Sequence, residues 1–329
     1  MSVLAPSVGV LWRIIESYKL DPDVFFRDAG LEVEWPIEPG TRVSYEQLDQ
    51  VRAAAAEATG DPAFGLRAAQ VVHPSQIGAL GYAWLASSTL RTAMTRMHRF
   101  VRVLNDRGTL DLVEEKGHFL AQISVAQASR NRRVRDDAQL AYLVTLCRMN
   151  GGPDLNPEFV GFCHAEPEDL RPYEALFRCP VYFSREHNEL ALSSRDLDRP
   201  LPSANHVLAH MNDRIVVQRL AKLDQDDIPN RVRAAIMEQL PCGTISDESV
   251  ADALHMTSRT MHRKLKQEGE SFRTLLKAVR QDLAEQYMAD NSLTLTEITF
   301  LLGFSEMSSF SRAYKKWNGV SPSAARSGD

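Results

Sequence analysis

Two segments near the C-terminal end of the chain repeat one plan, and this repeat constrains the fold more than any other feature. The first is residues 250–265 (VADALHMTSRTMHRKL) and the second is residues 298–314 (ITFLLGFSEMSSFSRAY). In each, apolar residues spaced about four apart predict a short helix, a tight turn and a second helix that buries its apolar face against the first. Two helices joined at an angle by a short turn form a helix-turn-helix. The sequence therefore predicts two such motifs and, after residue 229, no strand.

The residues at the turns agree with this prediction. Gly303 lies where the first helix of the second motif ends, and glycine is favoured there because the chain leaves the helix through a left-handed conformation. Thr257 or Ser258, and Ser305, are the predicted N-caps of the helices that follow. Between the motifs, residues 272–290 predict one helix about 28 Å long. Because one turn of B-DNA is about 34 Å, this spacer suits two second helices that enter successive major grooves.

The second helix of each motif carries side chains that suit DNA recognition. Short polar side chains and arginine suit base edges, whereas lysine suits phosphate. The residues expected to face the major groove are Ser258, Arg259, Thr260, His262, Arg263, Glu306, Ser308, Ser309, Ser311 and Arg312, and those expected to bind phosphate are Lys264, Lys266, Lys315 and Lys316. One basic helix is more often a solvated face, but two copies on helix-turn-helix cores favour DNA binding. Trp317 is predicted to be core rather than a base-stacking residue.

The region after residue 229 resembles the AraC/XylS family of transcription regulators. Residues 304–322 (FSEMSSFSRAYKKWNGVSP) match the family's second-motif signature, and residues 265–272 (LKQEGESF) match the end of its first motif. The resemblance implies that the protein is an activator whose partners are promoter DNA and RNA polymerase. It also shows a departure, because the family usually has glycine at the position of His255. A non-glycine residue with positive φ costs about 1 kcal/mol, so the first turn is expected to be less stable.

The region before residue 224 mixes two periodicities. Helical spacing predicts helices over residues 8–19, 22–29, 44–58, 89–104, 134–149 and 204–223, and alternation predicts strands over residues 108–115, 118–125, 159–163, 181–183 and 189–192. The predicted fold class is an α+β N-terminal sensor domain followed by an all-α C-terminal domain with two helix-turn-helix motifs joined by a long helix. The acidic, proline-containing stretch 224–229 (DQDDIP) is the predicted linker, which gives domains 1–223 and 230–329.

The front region also resembles the arabinose-binding-like sensor domain of the ornithine and virulence-regulator branch of the family. The resemblance rests on residues 78–82 (GALGY), 180–183 (PVYF) and 200–204 (PLPSA). It implies a small-molecule effector whose identity and binding residues the sequence does not give; the alternative is a protein-partner or dimerisation module without a metabolite. The aromatic residues that either line an effector pocket or form core are Tyr82, Trp84, Phe100, Phe119, Tyr142, Phe162, Phe177 and Tyr182.

Two further segments each keep two interpretations. The predicted helix 204–223 has an apolar seam formed by Ala204, Val207, Leu208, Met211, Ile215, Leu220 and Leu223. This seam either packs on the domain's own sheet or, as the family resemblance implies, forms a homodimer. The basic run 130–135 (RNRRVR) is either a solvated loop before a helix, which is the more frequent case, or a site for phosphate or another anionic ligand.

Composition and motif searches exclude several classes of protein. Hydrophobic residues make up 44% and charged residues 25% of the chain, as in folded rather than disordered proteins. The net charge is -5, but residues 228–329 hold 13 Lys and Arg against 12 Asp and Glu, so the acidity lies in the front region. The G-x-S-x-G, H-E-x-x-H, P-loop and G-x-G-x-x-G motifs are absent. The best acid–base candidates, Asp136–Asp137 and the stretch 164–166, stand alone, so no enzyme is expected.

Cofactors and membranes are not expected either. Cys147, Cys163, Cys179 and Cys242 form no C-x-x-C pair and no cluster with metal-ligand spacing, which predicts reduced, buried thiols. No apolar run approaches the length that spans a membrane, and the start of the chain lacks a basic leader. The sequence therefore predicts a cytoplasmic protein.

Overall fold

The chain forms two units, Met1–Asn212 and Asp213–Asp329. The computed structural model describes residues 2–4, 8–34, 37, 41–115, 117–126, 129, 131–223, 228–240, 243, 245–288 and 293–327. The division between the units falls inside the helix His206–Leu223, whereas the sequence predicts a boundary after that helix. Each unit has its own layout of secondary structure and its own hydrophobic core.

A mixed sheet lies at the centre of the N-terminal unit. Its strands, together with a separate antiparallel pair, are β1 (Ser2–Leu4), β2 (Arg42–Ser44), β3 (Gly108–Glu115), β4 (His118–Val125), β5 (Phe159–Gly161), β6 (Val181–Tyr182) and β7 (Asn188–Leu192). β1 pairs with β2, and the main sheet has the order β3-β4-β7-β5-β6, in which only β5 and β6 are parallel. The hairpin β3–β4 has the predicted bounds. Gly117 in its turn has φ 84°, which glycine adopts without a steric penalty.

Helices surround this sheet. They are α1 (Val8–Ser17), α2 (Pro22–Asp28), α3 (Tyr45–Thr59), α4 (Ala68–Val71), α5 (Ala79–Leu85), α6 (Leu90–Leu104), α7 (Arg132–Gly151), α8 (Arg171–Phe177), α9 (Ser194–Asp198) and α10 (His206–Leu223). The longer ones lie where the periodicity predicts them, and side-chain caps fix their starts. Ser44 accepts a hydrogen bond from the backbone N–H of Gln47, and Thr89 forms a capping box with Thr92.

The helix α7 is central to the packing of the N-terminal unit. A Cβ at Gly65, in the short 3-10 turn Phe64–Arg67, would lie 2.4 Å from the carbonyl oxygen of Val134, so only glycine allows this close approach to α7. On the same helix, the carbonyl of Leu146 accepts a hydrogen bond of 3.1 Å from the indole N–H of the fully buried Trp84. Buried polar contacts of this kind fix the position of α5 against α7.

The C-terminal unit is helical throughout its described residues. After the C-terminal part of α10, its helices are α11 (Ile228–Gln239), α12 (Asp247–Ala253), α13 (Ser258–Gln267), α14 (Phe272–Met288), α15 (Leu295–Leu301), α16 (Met307–Asn318) and α17 (Pro322–Ser327). Ile228 and Pro229, which the sequence assigns to the linker, belong to the first turn of α11. The reason is that proline suits the first turn of a helix, where its missing N–H is not needed. Residues 224–227 lie outside the described ranges.

Candidate nucleic-acid interface

The first helix-turn-helix consists of α12 and α13. Val250, Met261 and Leu265 are fully buried between its helices and the rest of the unit, as the spacing of four predicts. The side chain of Thr257 accepts a hydrogen bond of 3.2 Å from the backbone N–H of Thr260, so Thr257 rather than Ser258 is the N-cap of α13. This cap satisfies one of the free N–H groups at the start of the helix that carries the basic residues.

The turn of the first motif contains a strained residue. His255 has φ 55°, which confirms that the position is left-handed although it is not glycine. Its backbone N–H donates to the carbonyl of Asp252, and the N–H of Met256 donates to the carbonyl of Ala251. These hydrogen bonds close the end of α12 and hold His255 in a conformation that an L-residue adopts only at a steric cost.

The turn of the second motif, between α15 and α16, has glycine at its left-handed position and is stabilised by a side chain from α14. Gly303 has φ 67°, and a Cβ there would lie 2.8 Å from the carbonyl oxygen of Leu240. The guanidinium of Arg280, on α14, donates hydrogen bonds of 2.9 Å to the carbonyls of Leu302 and Gly303. It also lies 4.3 Å from the ring centroid of Phe304. Burial lowers the pKa of Arg280, and these carbonyl and ring contacts compensate for its lost hydration.

The sequence prediction missed Arg280, although a signal for it exists. On α14 the positions 276, 279, 280 and 283 follow the i, i+3, i+4, i+7 spacing of a buried helix face. Leu276, Val279 and Leu283 pack in the core of the unit, and Arg280 is half-buried beside them. A lone arginine on an apolar face indicates a buried acceptor, which here is the end of α15.

The start of α16 differs from the prediction. Its N-cap is Glu306, not Ser305. A carboxylate oxygen of Glu306 accepts hydrogen bonds from the hydroxyls of Ser308 (2.5 Å) and Ser309 (3.1 Å) and lies 3.6 Å from the guanidinium of Arg312. The hydroxyl donors lower the pKa of Glu306, which therefore remains a carboxylate near neutral pH. Glu306 occupies the N-cap position, but its side chain accepts hydrogen bonds from these hydroxyls and not from a backbone N–H of the first turn.

On α13, His262 makes a contact that the sequence did not predict. Its Nε2 lies 2.7 Å from a carboxylate oxygen of Asp247, at the start of α12. The hydrogen bond from His262 is the first cause of the lowered pKa of Asp247. His262 thus connects the two helices of the first motif through its side chain, while the ring stays exposed to solvent.

All fourteen predicted DNA-facing residues have accessible side chains. Exposed are Arg259, His262, Arg263, Lys266, Glu306, Ser308, Arg312, Lys315 and Lys316, and half-buried are Ser258, Thr260, Lys264, Ser309 and Ser311. The four of these exposed residues that lie on α13 recur at i, i+3, i+4 and i+7, so they share one helix face. Trp317 packs against the core of the unit, with its ring centroid 6.4 Å from that of Phe304, as predicted.

The helix between the motifs covers the described part of its predicted range, and residues 289 and 290 of that range lie outside the described residues. α14 ends at Met288 within the described residues, and its 17 residues span about 25 Å. A rigid helix of this length remains of the order of one turn of B-DNA. The spacing between the two motifs therefore stays compatible with two neighbouring major grooves.

In the N-terminal unit, the structure brings together acid–base candidates that are far apart in sequence. His164 Nε2 lies 3.0 Å from a carboxylate oxygen of the buried Asp137, and the hydroxyl of Tyr173 donates to the other oxygen at 2.8 Å. The second ring nitrogen of His164 lies 2.9 Å from the carbonyl of Ala165. Both nitrogens are therefore engaged by protein groups, which leaves neither free to act as a general base.

The basic run before α7 also differs from its predicted state. Asn131 is the N-cap of α7, and Arg132, Arg133 and Arg135 belong to the helix, not to a solvated loop. Arg132 and Arg135 pair with the buried Asp136 at 3.3 and 2.9 Å. Arg133 lies 3.8 Å from Asp137. Arg135 is buried with Asp136, because a buried charge requires a partner, whereas the side chain of Arg132 is 62% exposed and reaches the same carboxylate from the surface. Arg130 lies outside the described residues.

A cavity of about 250 Å³ lies in the N-terminal unit. Of the eight aromatic residues predicted to line a pocket or form core, all of them described, Tyr142 alone lines this cavity. Fully or largely buried core positions are occupied by Trp84, Phe100, Phe119, Phe162 and Phe177, whereas Tyr82 and Tyr182 are about half exposed (49% and 48%). Five of these eight aromatic residues are therefore core residues and not pocket residues.

Metal sites and membrane spans are absent from the described part of the chain. No group of three or more His, Cys, Asp or Glu there has the arrangement to hold a metal ion. No described helix is both long and apolar enough to cross a membrane. Cys147 is buried, whereas Cys163 and Cys179 are only partly buried, and Cys242 lies outside the described residues.

Comparison with known proteins finds one family match in the N-terminal region and another in the C-terminal region. A family described as the arabinose-binding domain of AraC transcription regulators (N-terminal) matches residues 20–201, and a helix-turn-helix domain family matches residues 250–328. The ornithine utilization regulator of Pseudomonas aeruginosa is 31% identical over 319 residues, which are 96% of this chain and 94% of that protein. An uncharacterized HTH-type transcriptional regulator of Mycobacterium tuberculosis is 26% identical over 84% of this chain and 82% of its own length.

Among solved structures, the transcriptional regulator CdpR from Pseudomonas aeruginosa is similar to this chain. The similarity covers 97% of this chain and 98% of CdpR, with 20% sequence identity and a TM-score of 0.47.

Proposed function

Since this chain belongs to the AraC family of DNA-binding transcription regulators, with an arabinose-binding-like N-terminal domain, we propose that α13 and α16 are its recognition helices. The exposed basic and small polar residues on these helices support this assignment. Arginine and short polar groups contact base edges, and lysine contacts phosphate. Transcription regulators are not enzymes, and the contacts of His164 agree with a structural role for its pair with Asp137.

Within the recognition helix α16, Arg312 is proposed to contact a base. Its side chain is 73% exposed, and the hydroxyl of Ser309 accepts a hydrogen bond of 3.1 Å from it. The neighbouring Glu306 carboxylate limits the directions that the guanidinium takes, which lowers the entropy that it loses on binding. Lys315 and Lys316 have no such partner among the contacts of the described residues, and they are proposed to bind phosphate.

The test is a fluorescence-anisotropy titration of the full chain with its own upstream promoter DNA and with random duplex, over a series of salt concentrations. Arg312→Ala is expected to cost about 1–3 kcal/mol on promoter DNA and to relax specificity at one base pair. Lys315→Ala is expected to weaken binding to both DNAs equally and to reduce the salt slope by about one unit. Lys277→Ala, which removes an exposed charge from α14, is the control.

Two outcomes would contradict these roles. If Arg312→Ala loses the same affinity for promoter DNA as for random DNA, Arg312 does not contact a base. Absence of binding by the wild-type chain even at low salt would remove the assignment of α13 and α16 as recognition helices, because the phosphate contacts should then dominate.

We further propose that the N-terminal unit senses a small molecule and that the protein activates transcription through RNA polymerase. The cavity in this unit supports a metabolite sensor over a module that only binds protein. The name of the 31% identical relative refers to ornithine utilization, so an amino acid is one class of effector to test. An effector changes transcription only if it binds the DNA-competent and incompetent states with different affinity. A promoter–reporter assay with and without effector measures the sign of that change.

The outward face of α10 is proposed as a homodimer interface. Val207, Leu208 and Met211 are 55%, 50% and 58% exposed, which disfavours packing of these three residues on the domain's own sheet, one of the two interpretations of the seam. Ala209, on the opposite face, is buried instead. Large apolar side chains that share one exposed helix face commonly mark a protein interface. A second copy of the chain presents the same face and completes a symmetric contact.

A further inference from the structure

The spacer helix α14 packs directly against the first helix-turn-helix motif. Its residues Leu275 and Val279 are buried in the same hydrophobic core as Met261 and Leu265 of α13. The connection between α13 and α14 consists of the four residues 268–271. Because the core is close-packed and the connection is short, α13 has a fixed position relative to α14.

The second motif is connected to α14 by the half-buried side chain of Arg280. Its Nε donates a hydrogen bond of 2.9 Å to the carbonyl of Leu302, and its Nη2 donates one of 2.9 Å to the carbonyl of Gly303. These two carbonyls belong to the turn between α15 and α16. Since the donors of a guanidinium lie in one plane at fixed angles, the pair of hydrogen bonds determines the orientation of the turn as well as its distance from α14.

The same guanidinium is connected to α16 through aromatic side chains. It lies 4.3 Å from the ring centroid of Phe304, the residue that follows Gly303. The ring of Phe304 lies 5.9 Å from that of Phe310 and 6.4 Å from that of Trp317, both on α16. Apolar packing alone is not directional, whereas the hydrogen bonds of Arg280 are. Arg280 therefore restricts the orientation of α16 relative to α14.

From these contacts we propose that Arg280 is a positioning residue that determines the spacing between the two DNA half-sites, the segments contacted by α13 and by α16. One added base pair moves a half-site by about 3.4 Å along the DNA and rotates it by about 34° around the axis. If α16 is held rigidly, it does not follow this movement; if its turn is released, it does. The proposal rests on the proposed recognition role of α13 and α16 and adds the selection of spacing.

The test measures binding of the full chain to its upstream promoter DNA and to the same DNA with one base pair inserted between the half-sites. Hydroxyl-radical footprinting locates the half-sites on the native DNA and shows which of them is protected on each DNA. Fluorescence anisotropy gives the two dissociation constants. For the wild type, the insertion is expected to weaken binding about tenfold or more and to leave one half-site unprotected, because the base contacts of one helix are lost.

Three variants identify the role of the guanidinium. Arg280→Met removes the donors and keeps an unbranched side chain, so the insertion is expected to weaken its binding only about threefold or less, with both half-sites protected on both DNAs. Arg280→Lys keeps the charge but not the planar pair of donors and should lie between the wild type and Arg280→Met. Arg273→Met, the matched control, makes the same change at an exposed arginine of α14 and should keep the wild-type effect of the insertion.

Hydrogen exchange in peptides that cover α15 and α16 shows whether each variant keeps the second motif folded. This measurement matters because an unfolded second motif would also make binding insensitive to the insertion, but it would protect one half-site on both DNAs. If Arg280→Met does not fold, the result for Arg280→Lys decides.

The proposal is overturned if the deciding variant is weakened by the insertion as much as the wild type is, or if it protects one half-site on both DNAs. Either result would show that Arg280 only stabilises the motif. A wild type that binds both DNAs equally would also overturn it. The recognition role of α13 and α16 fails separately, if the wild type does not prefer promoter DNA to random duplex.

Discussion

The exposed residues of α13 and α16, the two helices proposed to recognise DNA, are held by different contacts. On α13, the ring of His262 lies 2.7 Å from the carboxylate of Asp247 on α12. The ring therefore stabilises the packing of the two helices and is also exposed at the surface of the motif. On α16, Arg312 donates a hydrogen bond to the hydroxyl of Ser309 and lies 3.6 Å from the carboxylate of Glu306. The sequence predicts which residues are exposed from helical spacing alone. It does not predict these contacts, because side-chain partners depend on caps and rotamers that spacing does not determine.

Asp137 gives a prediction about pH. Burial is the first cause of its raised pKa, against the lowering effect of its contacts with His164 and Tyr173. The folded state therefore keeps this proton to a higher pH than the unfolded state does. Relative to Asp137→Asn, the wild type should lose stability as pH rises above the ordinary pKa of an aspartate, by up to about 1.4 kcal/mol per pH unit until the folded pKa is reached.

Urea unfolding of both proteins between pH 4 and pH 7, followed by hydrogen exchange in peptides of the N-terminal unit, measures this difference. His164→Gln is the control, since it removes the imidazole and keeps the carboxyl group of Asp137. The stability of this variant relative to Asp137→Asn should still fall as pH rises. If the stability difference between the wild type and Asp137→Asn is constant over this range, the carboxyl group does not have a raised pKa in the folded state.

At the scale of elements, the turns of the two helix-turn-helix motifs share a left-handed residue but differ in the contacts that stabilise them. Both place a residue in the left-handed region, His255 at φ 55° and Gly303 at φ 67°. The second turn is also fastened by the guanidinium of Arg280, which donates to two of its carbonyls. The first turn carries a side chain that raises the energy of its backbone conformation. The sequence predicts the strain at His255 from family comparison, but the role of Arg280 becomes visible only in the packing of α14.

Substitutions at these turns should have opposite effects. His255→Gly relieves the steric cost of the left-handed conformation, partly offset by the greater freedom of glycine in the unfolded chain, and should stabilise the first motif by up to about 1 kcal/mol. Gly303→Ala places a Cβ about 2.8 Å from the Leu240 carbonyl at positive φ and should destabilise the second motif by about 2 kcal/mol or more.

Hydrogen exchange of the full chain, followed by mass spectrometry of peptides from residues 228–329, measures both changes as local opening free energies. This measurement suits a chain of two units, for which a single unfolding transition is not assured. Faster exchange in His255→Gly than in the wild type would show that the histidine stabilises its turn through contacts that exceed the backbone strain.

At the scale of the whole molecule, the sequence predicts the elements that local interactions determine and does not predict contacts between residues far apart in the chain. The hairpin β3–β4 and the helices α3, α6 and α7 were predictable because their periodicity and caps are local. The strands β1 and β2 were missed since three residues are too few to show alternation. The pair Asp137–His164, 27 residues apart, is formed by the tertiary fold. Likewise, spacing identified the apolar seam of α10, but only the structure distinguishes its buried residues from its exposed ones.

That exposed face supports a prediction about assembly. Met211 is 58% exposed on α10, so Met211→Glu should not disturb the fold of one chain. In a symmetric dimer, the same substitution places two carboxylates in an apolar contact, where each loses hydration without a partner. The dimer dissociation constant is expected to rise at least about tenfold, which corresponds to about 1.4 kcal/mol.

Sedimentation velocity over a range of protein concentrations measures the change, with Met211→Leu as the matched control because it keeps an apolar side chain of similar size. We expect the wild type and Met211→Leu to dimerise alike and Met211→Glu to shift towards the monomer. The substitution should also reduce affinity for promoter DNA with two half-sites more than for DNA with one, because a dimer binds two sites with a high effective concentration for the second. A wild-type chain that stays monomeric up to about 100 μM, which is far above the concentrations at which specific interfaces associate, would exclude this face as a dimer interface.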